Sequence, residues 1–144
     1  MATVLTGQIQ VTAPPGEVYA SWVDVESLPD YLEMVQSIRR VDEIRSFWEV
    51  RIGRGAQTFY ADIVDAVPGR SVSWQSTDGI VHSGRVDIED LGGTTRVALR
   101  MVWDEQDPFA GIGLPVEIDQ DVAQRDLQRF KRRIEARTRS GIAR

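Results

Sequence analysis

The 144-residue chain contains no cysteine, one histidine, His82, and one lysine, Lys131. Without thiols, disulfides, thiolate metal sites and cysteine nucleophiles are all excluded. A single imidazole leaves out the clustered ligands of a zinc site or a facial iron triad, so no metal and no cofactor is expected. A Schiff-base mechanism would have to use Lys131, which stands in a basic stretch expected to be exposed. No G-x-G-x-x-G, phosphate loop or G-x-S-x-G elbow is present, which removes support for nucleotide cofactors and serine-hydrolase chemistry. No apolar run approaches membrane-spanning length, and Met1-Ala2-Thr3-Val4-Leu5 lacks the features of a signal peptide, so a cytoplasmic location without membrane insertion is expected. The net charge of -5 argues against a general nucleic-acid binder. The one basic cluster, Arg125, Arg129, Lys131, Arg132, Arg133, Arg137 and Arg139, reads as a solvated helix face whose cations complement the negative end of the helix dipole.

What is present is a sequence of the length of one domain, 1–144, able to bury a core without staples. Val4 to Thr12 alternates as a half-buried strand. Ala13-Pro14-Pro15-Gly16-Glu17 then opens a short helix with Val18, Tyr19, Trp22 and Val23 on one side, and Leu28-Pro29-Asp30-Tyr31-Leu32 restarts a second short turn. Strand signals follow at Ser37–Val41, Ser46–Ile52, Thr58–Val67, Ser71–Ser76, Gly84–Asp90 and Thr95–Trp103, separated by Gly- and Pro-marked turns. The rhythm is that of an antiparallel meander. A final helix from about Val116 to Thr138 carries Ala123, Leu127, Phe130 and Ile134 at intervals of three and four, the stripe needed to cover one face of the sheet. The fold class is therefore α+β, a curved antiparallel sheet around a long C-terminal helix, with two short helices after the first strand.

The order of elements, with Ile9-Gln10-Val11-Thr12-Ala13-Pro14, Val18-Tyr19, Trp22, Val25-Glu26-Ser27-Leu28-Pro29-Asp30-Tyr31, Ala61-Asp62-Ile63-Val64-Asp65-Ala66-Val67-Pro68, Val72-Ser73-Trp74, Gly93-Thr94-Thr95-Arg96-Val97 and Asp126-Leu127-Gln128-Arg129-Phe130-Lys131, resembles the polyketide cyclase/dehydrase branch of the START-like, or Bet v 1-like, superfamily. The resemblance covers nearly the whole chain and implies a helix-grip fold with an internal cavity for a small hydrophobic molecule such as a polyketide, lipid or quinone. Its functions are broad, from lipid carriers to aromatases, so it implies a cavity more firmly than a reaction. Aromatase/cyclases of this superfamily carry an arginine before the Val-Pro matching Val67-Pro68 and a tyrosine after the proline matching Pro29. This chain has Ala66 and Val35 there.

Candidate catalytic residues are Tyr31, a phenol placed near the family's cavity opening, and His82, the default general acid/base if it enters the cavity. The position of His82, four residues beyond Asp78, favours instead a solvent-facing strand end. Asp62 and Asp65 are expected on opposite faces of their strand. Candidate ligand-binding residues are Trp22, Tyr31, Met34, Phe59, Trp74, Met101, Trp103, Phe109, Ile112, Leu114 and Leu127, large side chains suited to core or pocket lining. The cavity mouth is expected between Leu28–Met34 and the Asp107–Pro115 loop, with Phe109, Ile112 and Leu114 as a movable gate. Three readings follow: a hydrophobic-ligand binder, an enzyme that cyclises or dehydrates a bound polyketide, and a protein-interaction module. Each is compatible with a monomer or a homodimer.

Overall fold

Alternation from Thr95 to Trp103 sets the architecture. In β7 (Thr95–Asp104) residues 95, 97, 99, 101 and 103 are buried, while Arg96 and Arg100 on the other face are exposed. The computed structural model, which describes residues 2–52, 55–104 and 118–141, continues that pattern through a seven-stranded sheet. Its other strands are β1 (Ala2–Val11), β2 (Val35–Arg40), β3 (Arg45–Ile52), β4 (Gly55–Val67), β5 (Ser71–Ser76) and β6 (Val81–Asp90). The spatial order is β1-β7-β6-β5-β4-β3-β2, and every pairing is antiparallel. From β2 to β7 the chain is therefore a simple meander, and β1 closes onto its last strand.

Between β1 and β2 run α1 (Pro15–Val23) and a 3₁₀ helix (Val25–Asp30). Pro15 occupies the first turn of α1, where its missing N–H costs nothing, and Glu17 sits at the positive end of the helix. Pro29 is accommodated because it lies in the tighter 3₁₀ helix and not inside an α-helix. The expected second short helix thus exists, a few residues earlier than Leu28-Leu32. The C-terminal helix, α2 (Val122–Gly141), starts later than the expected Val116. The Asp119 side chain accepts the Asp121 N–H at 2.9 Å and its carbonyl accepts that of Val122 at 3.1 Å, so this aspartate turns the chain into the helix.

Two local features depart from simple alternation. In β4 the register shifts between Ile63 and Asp65, leaving Val64 as the extra, exposed residue of a bulge. As a result Asp62 pairs with Gln75 and Asp65 with Ser73, positions two apart on β5, so the two aspartates share the outer face. The expectation of opposite faces fails because it counted an unbroken strand. Asp62 there pairs with Arg45 at 2.9 Å, and Asp65 accepts the Ser71 hydroxyl at 2.7 Å. The second departure is the start of β6, which begins at Val81 and takes His82 into the sheet.

α2 packs chiefly against β1, at the edge of the sheet. An edge strand leaves a row of backbone groups unpaired. Here helix side chains take them: the Gln124 Oε1 accepts the Gln8 N–H at 3.1 Å while its Nε2 donates to the Gln8 carbonyl at 3.0 Å. Lys131 donates to the Gln10 carbonyl at 2.8 Å, and Glu135 accepts the Thr12 N–H at 2.8 Å. Approach this close is permitted by Gly7, where a Cβ would meet Gln124 Oε1 at 2.8 Å and the Gln124 backbone at 3.1 Å. A Gly7→Ala protein should therefore lose about 1–3 kcal/mol of stability, the range for overpacking. Chemical denaturation would measure this, and an unchanged midpoint would show that the helix can move off the strand freely.

Candidate functional site

The inner face of the sheet carries one large ring per strand: Trp48 on β3, Phe59 on β4, Trp74 on β5, His82 on β6 and Trp103 on β7, all buried. The register makes them neighbours, with Trp48 opposite Phe59 and His82 opposite Trp103. Trp48 stacks on Phe59 at 5.6 Å between centroids, and His82 stacks on Trp103 at 3.7 Å and 20°. Trp74 finds room because it covers Gly84 across the β5–β6 pair; a Cβ at Gly84 would overlap the indole ring. From α1, Trp22 lies parallel to Trp74 at 6.4 Å, and it meets Tyr31 at 5.1 Å and Phe130 of α2 at 5.2 Å. The aromatic array runs from the sheet through α1 to α2.

His82 is inside this array, not at a solvent-facing strand end. The strand starts before it, and the pleat turns its ring inward beside Trp103. Its Nε2 is 3.0 Å from the Trp74 Nε1, and its Nδ1 is 2.9 Å from the Val102 carbonyl oxygen. An indole N–H only donates, so Nε2 must accept, and the proton sits on Nδ1, which donates to Val102. Burial disfavours the imidazolium and pushes the pKa down to about 3, so the ring is neutral across the physiological range.

Tyr31 is also internal. Its hydroxyl donates to the Ser21 carbonyl at 2.9 Å and lies 3.3 Å from the Ser27 hydroxyl. Burial pushes the phenol well above its ordinary range. Of the other candidates, Trp22, Phe59, Trp74, Met101, Trp103 and Leu127 are buried on the inner side, and Met34 is half-buried against the same core. The structure thus brings these together with Tyr31 and His82. Phe109, Ile112 and Leu114, and the gate they were expected to form, lie outside the described residues.

Sequence reasoning missed Asp126, the only buried charged side chain among the described residues. Its Oδ1 accepts the Glu33 N–H at 3.1 Å and pairs with Arg129, while its Oδ2 has no partner. Arg129 also donates to the Tyr31 carbonyl at 3.1 Å and to Glu33 at 3.1 Å, and Arg125 grips Glu33 at 3.2 Å. Arg125 and Arg129 of the basic cluster therefore clamp α2 to the Tyr31–Glu33 segment, and Lys131 holds β1, so the expectation of a purely solvated helix face fails for these three. Burial raises the Asp126 pKa to about 6. The one signal in the sequence was an acid placed within the apolar stripe of α2, between Ala123 and Phe130.

A curved antiparallel sheet gripping a C-terminal helix, with two short helices after the first strand, defines the helix-grip architecture of START-like proteins. Comparison with known proteins agrees: a Mycobacterium smegmatis START superfamily protein superposes with a TM-score of 0.67 at 15% identity, over 95% of this chain and 97% of that one. A Deinococcus radiodurans protein of known structure reaches a TM-score of 0.75 at 26% identity, over 93% of this chain and 98% of that one. The profile of the family described as polyketide cyclase / dehydrase and lipid transport matches residues 11–132, and the chain belongs to that family. An uncharacterized 17.2 kDa protein of Streptomyces lincolnensis is 24% identical over 135 residues, spanning 90% of this chain and 87% of the relative. No helix among the described residues is long and apolar enough to cross a membrane.

Two of the buried titratable groups, His82 and Asp126, oppose each other at acid pH. His82 binds a proton more readily when unfolded, so between about pH 6.5 and about pH 3 its contribution to stability is lost as pH falls. Asp126 binds one more readily when folded, so between 3.8 and about 6 its contribution is gained as pH falls. An Asp126→Asn protein lacks the second effect. Its stability relative to wild type should decline on acidification from pH 6 to 4, by up to about 1.4 kcal/mol per pH unit. Thermal unfolding across that range measures the difference, and a constant offset between the two proteins would refute it.

Proposed function

We propose that this protein binds a small, neutral, hydrophobic molecule between the inner face of the sheet and α2, and holds it without chemical change. The observation that carries the reading is the composition of that inner face. Five strands in succession present aromatic rings, and among the described residues no cation is buried with them. Large rings with few polar groups are what small-molecule sites are made of, and the family's description includes lipid transport. Trp22, Tyr31, Met34, Phe59, Trp74, Met101, Trp103 and Leu127 would line the ligand. Most of these side chains have almost no accessible surface, so on this reading a ligand would enter by parting α2 and the Tyr31–Met34 segment from the sheet.

A second reading, cyclisation or dehydration of a bound polyketide, draws on Asp126, a buried carboxyl with one unpartnered oxygen. Binding without turnover is better supported. The only imidazole has both nitrogens engaged, and the buried phenol of Tyr31 is committed to Ser21. The neutral dye N-phenyl-1-naphthylamine should bind the folded protein one to one and raise its melting temperature, by about 2.7 kcal/mol of stabilisation at a hundred times its Kd. Tyr31→Phe should cost about 1 kcal/mol of stability and leave the dye affinity within about twofold. Folded protein that neither brightens the dye nor gains stability from it would rule out the binding reading.

A further inference from the structure

The four tryptophans divide into two pairs by the fate of their indole N–H groups. Trp48 donates to the Ser46 hydroxyl at 2.8 Å, and Trp74 donates to His82 at 3.0 Å. Trp22 and Trp103 are equally buried, and their Nε1 atoms have no hydrogen-bond partner. A buried donor left unsatisfied costs roughly 1–3 kcal/mol. Two such donors in one aromatic core are therefore a standing cost unless something accepts from them.

None of the other polar groups of the described interior accepts from them, and each is engaged elsewhere. The His82 Nε2 is taken by Trp74, the Tyr31 hydroxyl is directed at Ser21, and the buried Thr95 hydroxyl donates to the Ala13 carbonyl at 2.6 Å. Asp126, whose second oxygen is free, is held at the α2–Glu33 junction by Arg129 and the Glu33 N–H. The aromatic interior therefore holds donors in excess. It offers no buried cation to neutralise an acid, since the described arginines and Lys131 are all half-buried or exposed.

We propose that Trp22 and Trp103 are the polar anchors of the ligand site, and that the ligand is a neutral, flat molecule carrying two hydrogen-bond acceptors, carbonyl or ether oxygens, rather than a carboxylate. This rests on the binding reading above and narrows it. A conjugated diketone has the complementary chemistry, flat rings for an aromatic interior and two oxygens able to accept from the two N–H groups. An ionised fatty acid does not fit, because its carboxylate would be buried without a counter-charge.

Menadione, a naphthoquinone with two carbonyl acceptors and no donor, and 2-methylnaphthalene, which keeps the fused rings but has no oxygen, are the probes. The chain has no cysteine for the quinone to alkylate. Affinities for wild type, Trp22→Phe and Trp103→Phe form a cycle in which lost packing affects both probes and a lost hydrogen bond affects only the quinone. Each variant should weaken menadione about five- to tenfold more than it weakens 2-methylnaphthalene, the size of one hydrogen bond. Should a variant not fold, the ¹H–¹⁵N indole signals of wild type give the same answer: menadione should move those of Trp22 and Trp103 downfield and leave Trp48 and Trp74 in place. Dodecanoate at pH 8 should not displace the quinone. Equal losses for both probes, or Trp22 and Trp103 signals unmoved at menadione saturation, would overturn the anchors while leaving hydrophobic binding intact. Failure of both probes to bind would overturn the binding reading itself.

Discussion

The contact of α2 with the free edge of β1 is the constraint on which the rest of the structure depends. A curved sheet encloses its inner face only if something stands across the open side, and here that element is fixed at one edge. The Gln124 amide offers Gln8 the donor and the acceptor that a neighbouring strand would have offered, and Lys131 and Glu135 continue the row to Gln10 and Thr12. From Gln8 to Thr12 the strand edge is covered by the same bonds that set the position of the helix. Leu127, Phe130 and Ile134 are then delivered to the interior by helical periodicity.

At its other flank α2 is held differently, by charge. Arg125 and Arg129 reach Glu33, Arg129 reaches Asp126 and the Tyr31 carbonyl, and Arg133 reaches Asp30 at 3.2 Å. Most of these groups are partly exposed, so water weakens each pair, as it does the side-chain bonds to the β1 edge. What distinguishes this flank is Asp126, whose carboxyl is buried where Arg129 and the Glu33 N–H meet it.

Much of the fold could be read from the chain because it follows from local chemistry. The strict alternation of β7, the proline at the start of α1 and the apolar stripe of α2 each name their own element and their own buried face. What could not be read depends on partners distant in sequence. The bulge at Val64 exists in the pairing of β4 with β5, and no residue in β4 announces it, so the facing of Asp65 came out reversed. Nearness to a turn points His82 to the surface, yet its environment is set by Trp74, Trp103 and the Val102 carbonyl, which reach it across two neighbouring strands. The aromatic members of the candidate site were legible by type, since large rings in strands must go somewhere dry. Whether each N–H had a partner was not, because that is decided by ångström-scale geometry.

The interlock of Trp74 with Gly84 has a bearing on how this interior could be reshaped over evolutionary time. The indole occupies space that a side chain on the neighbouring strand has given up, so the two positions hold a single shared volume. Neither can drift by itself: a bulkier residue on β6 demands a smaller one on β5, and the exchange moves the filled region sideways without altering the backbone. Because the Trp74 indole also donates to the Nε2 of His82, such an exchange would remove that nitrogen's partner in the same stroke. The shape of the interior and the pairing of the chain's one imidazole are thus tied to the same two positions.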